Sequence, residues 1–126
     1  MNYFFDTSAL VKFFHVENGT DIVTRLIEDN TSEIYVSDLA RLEFTSALYR
    51  RYRNNALDEL KLHSALVNFE SQLKSFIVEP ITQVVLEESL LLLKKFGKDY
   101  GLRTLDALHL GTYSLISESG MVLCNL

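Results

Sequence analysis

Three carboxylates stand out, two of them where secondary structure begins or ends. Asp6 closes the apolar run Tyr3-Phe4-Phe5 and is followed by Thr7 and Ser8. Glu43 lies among Leu39, Leu42 and Ala47, on or beside an apolar stripe of helical period. Asp106 falls in the first turn of a predicted helix, ahead of Ala107-Leu108-His109-Leu110. Each has an ordinary reading. A strand-end Asp caps the next helix, a half-exposed Glu pairs with a nearby Arg, and an Asp in a first turn complements the helix dipole. Each also has a chemical reading. An acid beside an apolar stripe is costly unless paired or bound to a cation, and the dipole that stabilises Asp106 keeps it ionised and able to hold one. Hard oxygen donors suit Mg²⁺ or Mn²⁺ better than imidazole does. His109, one turn beyond Asp106, therefore reads as packing or as a support behind the ligands.

Other chemistries find little footing. Neither Cys nor Ser stands in a pattern with His that suggests a covalent route, and no glycine-rich phosphate loop is present. The lone Cys124 excludes an internal disulfide, has no metal-ligand spacing, and reads as a small buried strand residue. A formal charge of −5 is adverse to nucleic-acid binding. Metal-binding carboxylates count against that total, however, and serve an anionic substrate once a cation is in place. The positive charge is also clustered, with Arg50, Arg51 and Arg53 together and Lys94, Lys95 and Lys98 in a second group. The arginines sit at a predicted helix C-terminus, which favours positive charge by itself.

The elements that must position the acids read as alternating strands and helices. Residues 3–5 form a buried strand ending at Asp6, and 8–14 a short helix. A second helix spans 20–28, where Ile22, Val23, Leu26 and Ile27 make a stripe. Residues 33–36 form a strand. Ser37 caps a helix through Arg53 that ends at Asn54-Asn55. Residues 57–76 are helical, with Leu62, Leu66, Phe69 and Leu73 on one face, and 77–81 are a short extended segment. Thr82 caps a helix stopped at Gly97; Thr104 caps one through Ile116; Gly120 precedes a strand over 121–124. Such alternation argues for a parallel sheet covered on both faces, with right-handed crossovers placing all strand carboxyl ends along one edge. Ligand crevices of such sheets lie there, and Asp6 ends the first strand.

The length of 126 residues fits one domain, 1–126, and the 48% hydrophobic content is enough for a core. The opening run Met1-Asn2-Tyr3-Phe4-Phe5 is too short for a signal-peptide core and lacks a basic leader, and no apolar stretch is long enough for a membrane span. With a single cysteine, a reducing, cytoplasmic setting is the default expectation.

Asn2-Tyr3-Phe4-Phe5-Asp6-Thr7-Ser8-Ala9-Leu10, the segment from Ser37 to Glu43, and Leu102-Arg103-Thr104-Leu105-Asp106-Ala107-Leu108-His109-Leu110 resemble the three signature blocks of PIN-domain ribonucleases. Within that family the chain most resembles VapC-type toxins of toxin–antitoxin pairs. The resemblance runs through nearly the whole chain in order and spacing. It implies a three-layer αβα sandwich, Mg²⁺ or Mn²⁺ dependence, and endonucleolytic cleavage of RNA. Asp6, Glu43 and Asp106 match the family's acidic ligands, and Ser8 matches a small hydroxyl residue that orders the site. A small antitoxin that places a basic side chain among the acids is implied as partner. So is a homodimer, with the helices after the first and second strands as the expected contact.

Two departures qualify the resemblance. The family offers a fourth acid after the strand that follows the Asp106 helix; here that run reads Val122-Leu123-Cys124-Asn125. Asn125 keeps a carbonyl oxygen but loses a charge, so one well-held metal is expected, with Asn125 a weak or second-metal position. Relatives also continue into a further helix and an edge strand. A C-terminally shortened chain is the expectation, which leaves strand 121–124 as an apolar edge. Two rival functions are weighed beside the nuclease. A receiver-like phosphoacceptor needs an acid pair after the first strand, where this chain has Asp6-Thr7-Ser8. The stronger rival is a catalytically decayed PIN-like domain kept as a protein- or RNA-binding module.

Overall fold

The computed structural model describes residues 1–14, 20–117 and 120–124. Four strands and six helices follow in the order β1 (Asn2–Phe5), α1 (Thr7–Phe14), α2 (Thr20–Glu28), β2 (Glu33–Ser37), α3 (Asp38–Arg53), α4 (Glu59–Leu73), β3 (Ile77–Glu79), α5 (Gln83–Tyr100), α6 (Thr104–Ile116) and β4 (Val122–Cys124). The sheet is parallel throughout, in the order β3-β2-β1-β4. Asn125 and its expected role lie outside the described residues.

β1 explains why both faces of the sheet are covered. Successive side chains of a strand point to opposite faces, yet Phe4 and Phe5 are both 0% exposed. Phe4 meets the ring of Tyr113 on α6. Phe5 meets Phe76, beyond α4, and joins the cluster built by Ala9, Leu10, Val23, Phe44, Leu62 and Phe69 of α1 to α4. The register extends this division. Val36 and Cys124 lie beside Phe5 and belong to the same cluster. The result is the expected α/β/α sandwich, with α1 to α4 on one face and the α5–α6 pair on the other. The first and second strands sit at the centre, so the edge that carries Asp6 is held from both sides.

Most boundaries follow local rules read from the sequence. Ser37 caps α3 by accepting from the Leu39 amide at 3.1 Å. Asn54 ends that helix, and Asn55 takes the left-handed conformation, φ 61°, that Asn tolerates. Several helix boundaries differ. α4 begins at Glu59 rather than residue 57, because Asp58 caps it through the Lys61 amide at 2.8 Å. It also stops at Leu73. α5 runs through Gly97 to Tyr100, and Gly101, with φ 63°, supplies the left-handed cap that Gly97 was expected to give. α6 begins on Thr104 itself; Arg103 occupies its N-cap position without a side-chain hydrogen bond. β4 is an edge strand, as expected, with Val122 exposed.

The α5–α6 contact fixes where Asp106 stands. A Cβ on Gly111 would meet Ser89 Oγ at 2.5 Å, the Ser89 amide nitrogen at 3.2 Å and the Val85 carbonyl oxygen at 3.3 Å. The two backbones approach this closely only because Gly111 has no side chain. Gly111→Ala should therefore destabilise the fold by about 1–3 kcal/mol through overpacking. Ser89→Ala should recover part of that loss, since Ser89 Oγ is the nearest obstacle. Urea denaturation of the three proteins checks this, and an unchanged midpoint for Gly111→Ala would show that the helices are free to separate. No helix among the described residues is long and apolar enough to cross a membrane.

Candidate active site

Asp6 sits at the carboxyl end of β1, where its amide donates to the Cys124 carbonyl of β4 at 3.2 Å. Its Oδ1 accepts from Ser8 Oγ at 2.5 Å and from the Ala9 amide at 3.2 Å. The Leu10 amide closes the first helical bond on the Asp6 carbonyl, so Asp6 is the N-cap of α1. Ordinary capping is thus fulfilled, and both side-chain bonds fall on one oxygen. The carboxylate is half-buried at the strand end. Among the described residues, neither capping bond falls on Oδ2.

Glu43 is held from two other helices. Its Oε1 accepts from Thr7 Oγ1 of α1 at 2.7 Å and lies 2.6 Å from His109 Nε2 of α6. Thr7 Oγ1 and His109 Nε2 are themselves 3.3 Å apart. One carboxylate oxygen therefore joins α1, α3 and α6. The partner is a histidine and a threonine, not the arginine that its sequence surroundings suggested. His109 is buried at 7% exposure, and its Nδ1 has no hydrogen-bond partner among the described residues. Of the two neutral tautomers, only the one with its proton on Nε2 avoids setting a nitrogen lone pair against the Glu43 oxygen. His109 thus stands behind Glu43 as a donor. Thr7 is the residue that sequence reasoning missed: Ser8 bonds Asp6, while Thr7 bonds Glu43.

Asp106 is exposed in the first turn of α6, where the dipole favours its charge. It shares an open cavity of ≈ 620 Å³ with Glu43, Leu93, Leu102, Arg103, Thr104 and Leu105. A second cavity of ≈ 400 Å³ adjoins it at Glu43 and Leu105 and is lined further by Thr7, Leu42, Ser46, Ala47 and Arg50. One member of the arginine cluster, Arg50, therefore lines a cavity wall beside Glu43 as well as lying near its helix end. Asp6, one residue before Thr7, is in the lining of neither cavity. A smaller, more apolar cavity of ≈ 290 Å³ beside Val11, Phe44 and Leu48 has no acid in its lining. Cys124, the strand neighbour of Phe5, is a buried thiol whose pKa is pushed up by burial and then by the charge of Asp6. It has the character of a packing residue.

Among the described residues, no three His, Cys, Asp or Glu side chains close on one point at metal-ligand spacing. Glu43 and Asp106 line one cavity, Asp6 follows β1 outside that lining, and Glu43 is engaged by His109. The donor chemistry itself, three carboxylates and no thiolate, suits a hard divalent cation.

Comparison with protein families matches residues 3–115 to the PIN domain. This chain belongs to the PIN-domain family. Solved structures with the same fold include a toxin–antitoxin complex from Klebsiella pneumoniae, 21% identical over 96% of this chain and 82% of that one, with a TM-score of 0.61. FitAcB from Neisseria gonorrhoeae is 16% identical over 98% of this chain and 86% of that one, with a TM-score of 0.72. VapC20 from Mycobacterium tuberculosis, a toxin that cleaves the sarcin–ricin loop, is 17% identical over 90% and 82%, with a TM-score of 0.65. At these identities the likeness is one of fold. A comparison with curated proteins finds no match.

Proposed function

We propose that this PIN domain is a Mg²⁺- or Mn²⁺-dependent endoribonuclease of the VapC toxin type. The observation that supports the reading is that Glu43 and Asp106 line one open cavity, with Asp6 directly after β1. Asp6 and Asp106 would hold the cation, with Glu43 as a third ligand or a water-positioning base. Asn125 supplies at most a neutral oxygen. When bound, the cation supplies charge neutralisation at the phosphate and lowers the pKa of water.

The chain's own residues set the rest. Thr7 and His109 grip Glu43 by Oε1 and so fix the direction of its carboxylate. Ser8 and the Ala9 amide do the same for Asp6. Arg103 and Arg50 line the two cavities on either side of Glu43, where a phosphodiester would need positive charge. RNA is the substrate in this reading, a cognate antitoxin the regulator, and the cytoplasm the setting. A homodimer is part of the same reading. The helices after β1 and β2 are the expected contact.

A second reading, a decayed PIN module that binds without cutting, is favoured by the open spacing of the acids and by the tie between Glu43 and His109. Two measurements decide between them. The nuclease should cut single-stranded RNA, stop with EDTA, recover with Mn²⁺ or Mg²⁺, and bind Mn²⁺ by calorimetry. Absence of both Mn²⁺ binding and cleavage would establish the decayed module; cleavage that survives EDTA would place the chemistry elsewhere.

A further inference from the structure

The face of α5 that leaves the Glu43–Asp106 cavity is built unlike the rest of the molecule. Leu93, Gly97 and Tyr100 stand at i, i+4 and i+7 and share one side of the helix. Leu93 lines the cavity. Gly97 is open: apart from its chain neighbours and its own helix backbone, no atom of the described residues lies within 4 Å of where its Cβ would be, and its backbone is helical. Neither packing nor conformation requires glycine there, although glycine is unfavourable inside a helix. Tyr100 is 79% exposed, and its ring is braced edge-on by Phe96 at 5.9 Å. Phe96 in turn lies under the Lys95 ammonium.

Charge follows the same line. In a chain of net −5, the stretch from Lys94 to Arg103 carries four cations and one acid, Asp99. Lys94 and Lys98, one turn apart, run along one side of the Gly97 notch, and Arg103 returns to the wall of the cavity beside Asp106. Among the described residues, Lys94, Lys98 and Arg103 have no ion-pair partner. An open backbone notch, free cations beside it and an exposed, braced aromatic ring at its end are what a single-stranded nucleic acid uses: phosphates on the cations, a base on the ring. A second copy of the chain is disfavoured on this strip, because like charges would face each other across a two-fold contact.

We propose that the Leu93–Gly97–Tyr100 face of α5 is the docking track for single-stranded RNA, with the phosphate backbone beside Lys94, Lys98 and Arg103 and one base stacked on Tyr100. The proposal rests on the nuclease reading for the placement of the cut phosphate in the cavity. Leu93 and Tyr100 are about 10 Å apart along the helix axis, so the stacked nucleotide is close in sequence to the one in the cavity. Stacking accepts every base, so this track gives affinity and direction without reading sequence.

The test uses full-length Asp106→Asn protein, which keeps RNA intact, and a fluorescein-labelled single-stranded RNA of mixed sequence followed by anisotropy. Adding Tyr100→Ala should weaken binding about 5- to 150-fold, while Tyr100→Phe should bind as the parent does. Adding Lys94→Gln with Lys98→Gln should lower the slope of log affinity against log salt by about 1.4. Gly97→Ala should raise the melting temperature, and Gly97→Leu should weaken RNA binding without lowering it. Unchanged affinity in the Tyr100→Ala and lysine variants would overturn the track while leaving cleavage by the parent untouched. RNA held through Tyr100 by a parent that cuts nothing would keep the track and remove the nuclease reading. Conversion of a dimer to monomer by Tyr100→Ala, seen by sedimentation with RNA affinity unchanged, would assign the face to a second copy and overturn the proposal.

Discussion

Asp106→Asn should reduce Mn²⁺-dependent RNA cleavage at least ~100-fold while shifting folding stability by no more than about 1 kcal/mol, and Asp6→Asn should behave alike. The two contributions to stability oppose each other. Removing the charge from the first turn of α6 forfeits part of the dipole interaction, ~0.3–1 kcal/mol at an exposed site. It also relieves repulsion from Glu43, the other acid on the cavity. Asp106 is exposed, so neither effect is large. Asp6 needs a separate control because it is also a helix cap. Asparagine retains an oxygen for Ser8 Oγ and the Ala9 amide, whereas alanine loses both bonds and about 1 kcal/mol with them. Comparing Asp6→Asn with Asp6→Ala therefore separates the charge from the cap. Single-turnover cleavage at saturating Mn²⁺, with urea melts of the same samples, makes the measurement. Parent-like cleavage by Asp106→Asn would remove it from the site, and a loss that tracks unfolding would reduce Asp6 to its capping role.

How far the sequence reached follows from the range of the forces involved. Asp6 and Asp106 were placed by local patterns: an acid closing an apolar strand, and an acid in a helix's first turn. The sheet followed from the same kind of evidence, because strands that alternate with helices have few ways to pack. The contacts of Glu43 were not legible. Its partners lie 36 and 66 residues away, and only the docking of α1 and α6 against α3 decides that they are Thr7 and His109. Two adjacent hydroxyls, Thr7 and Ser8, offered the same chemistry, and the phase of a short helix sent one to Glu43 and the other to Asp6. Gly97 and Gly101 pose a similar choice. Both are plausible stops, but the helix continues to Tyr100 and only Gly101 takes the left-handed conformation that ends it. Thr104 failed as a cap by one residue, since the turn from Gly101 is short enough to put Arg103 there instead.

Phe44→Ala should cost about 3–5 kcal/mol, a large part of the ~5–15 kcal/mol that holds a domain folded. Phe44 follows Glu43 directly, and its ring is 2% exposed. It stacks on Phe69 of α4 at 4.1 Å and packs against Phe14 of α1 at 4.9 Å, so one side chain ties three helices together. Removing it leaves a cavity that rigid neighbouring helices cannot close, which places the expected loss well above that of simple transfer. Leu42, on the other side of Glu43, is 64% exposed, and Leu42→Ala should change stability by less than about 0.5 kcal/mol. Phe44→Leu retains much of the volume and should fall between them. The three consecutive residues thus divide the work of α3: Leu42 faces solvent at the cavity mouth, Glu43 faces Thr7 and His109, and Phe44 anchors the helix. If that division holds, Phe44→Ala at a temperature well below its own transition should still bind Mn²⁺ and cut RNA, because Glu43 keeps its grip on His109. Loss of cleavage in a variant that calorimetry shows to be folded would mean that Oε1 of Glu43 is positioned by the aromatic stack, and that Thr7 and His109 follow it. A cost under about 1 kcal/mol would instead deny the stack its role in fixing α3 at all.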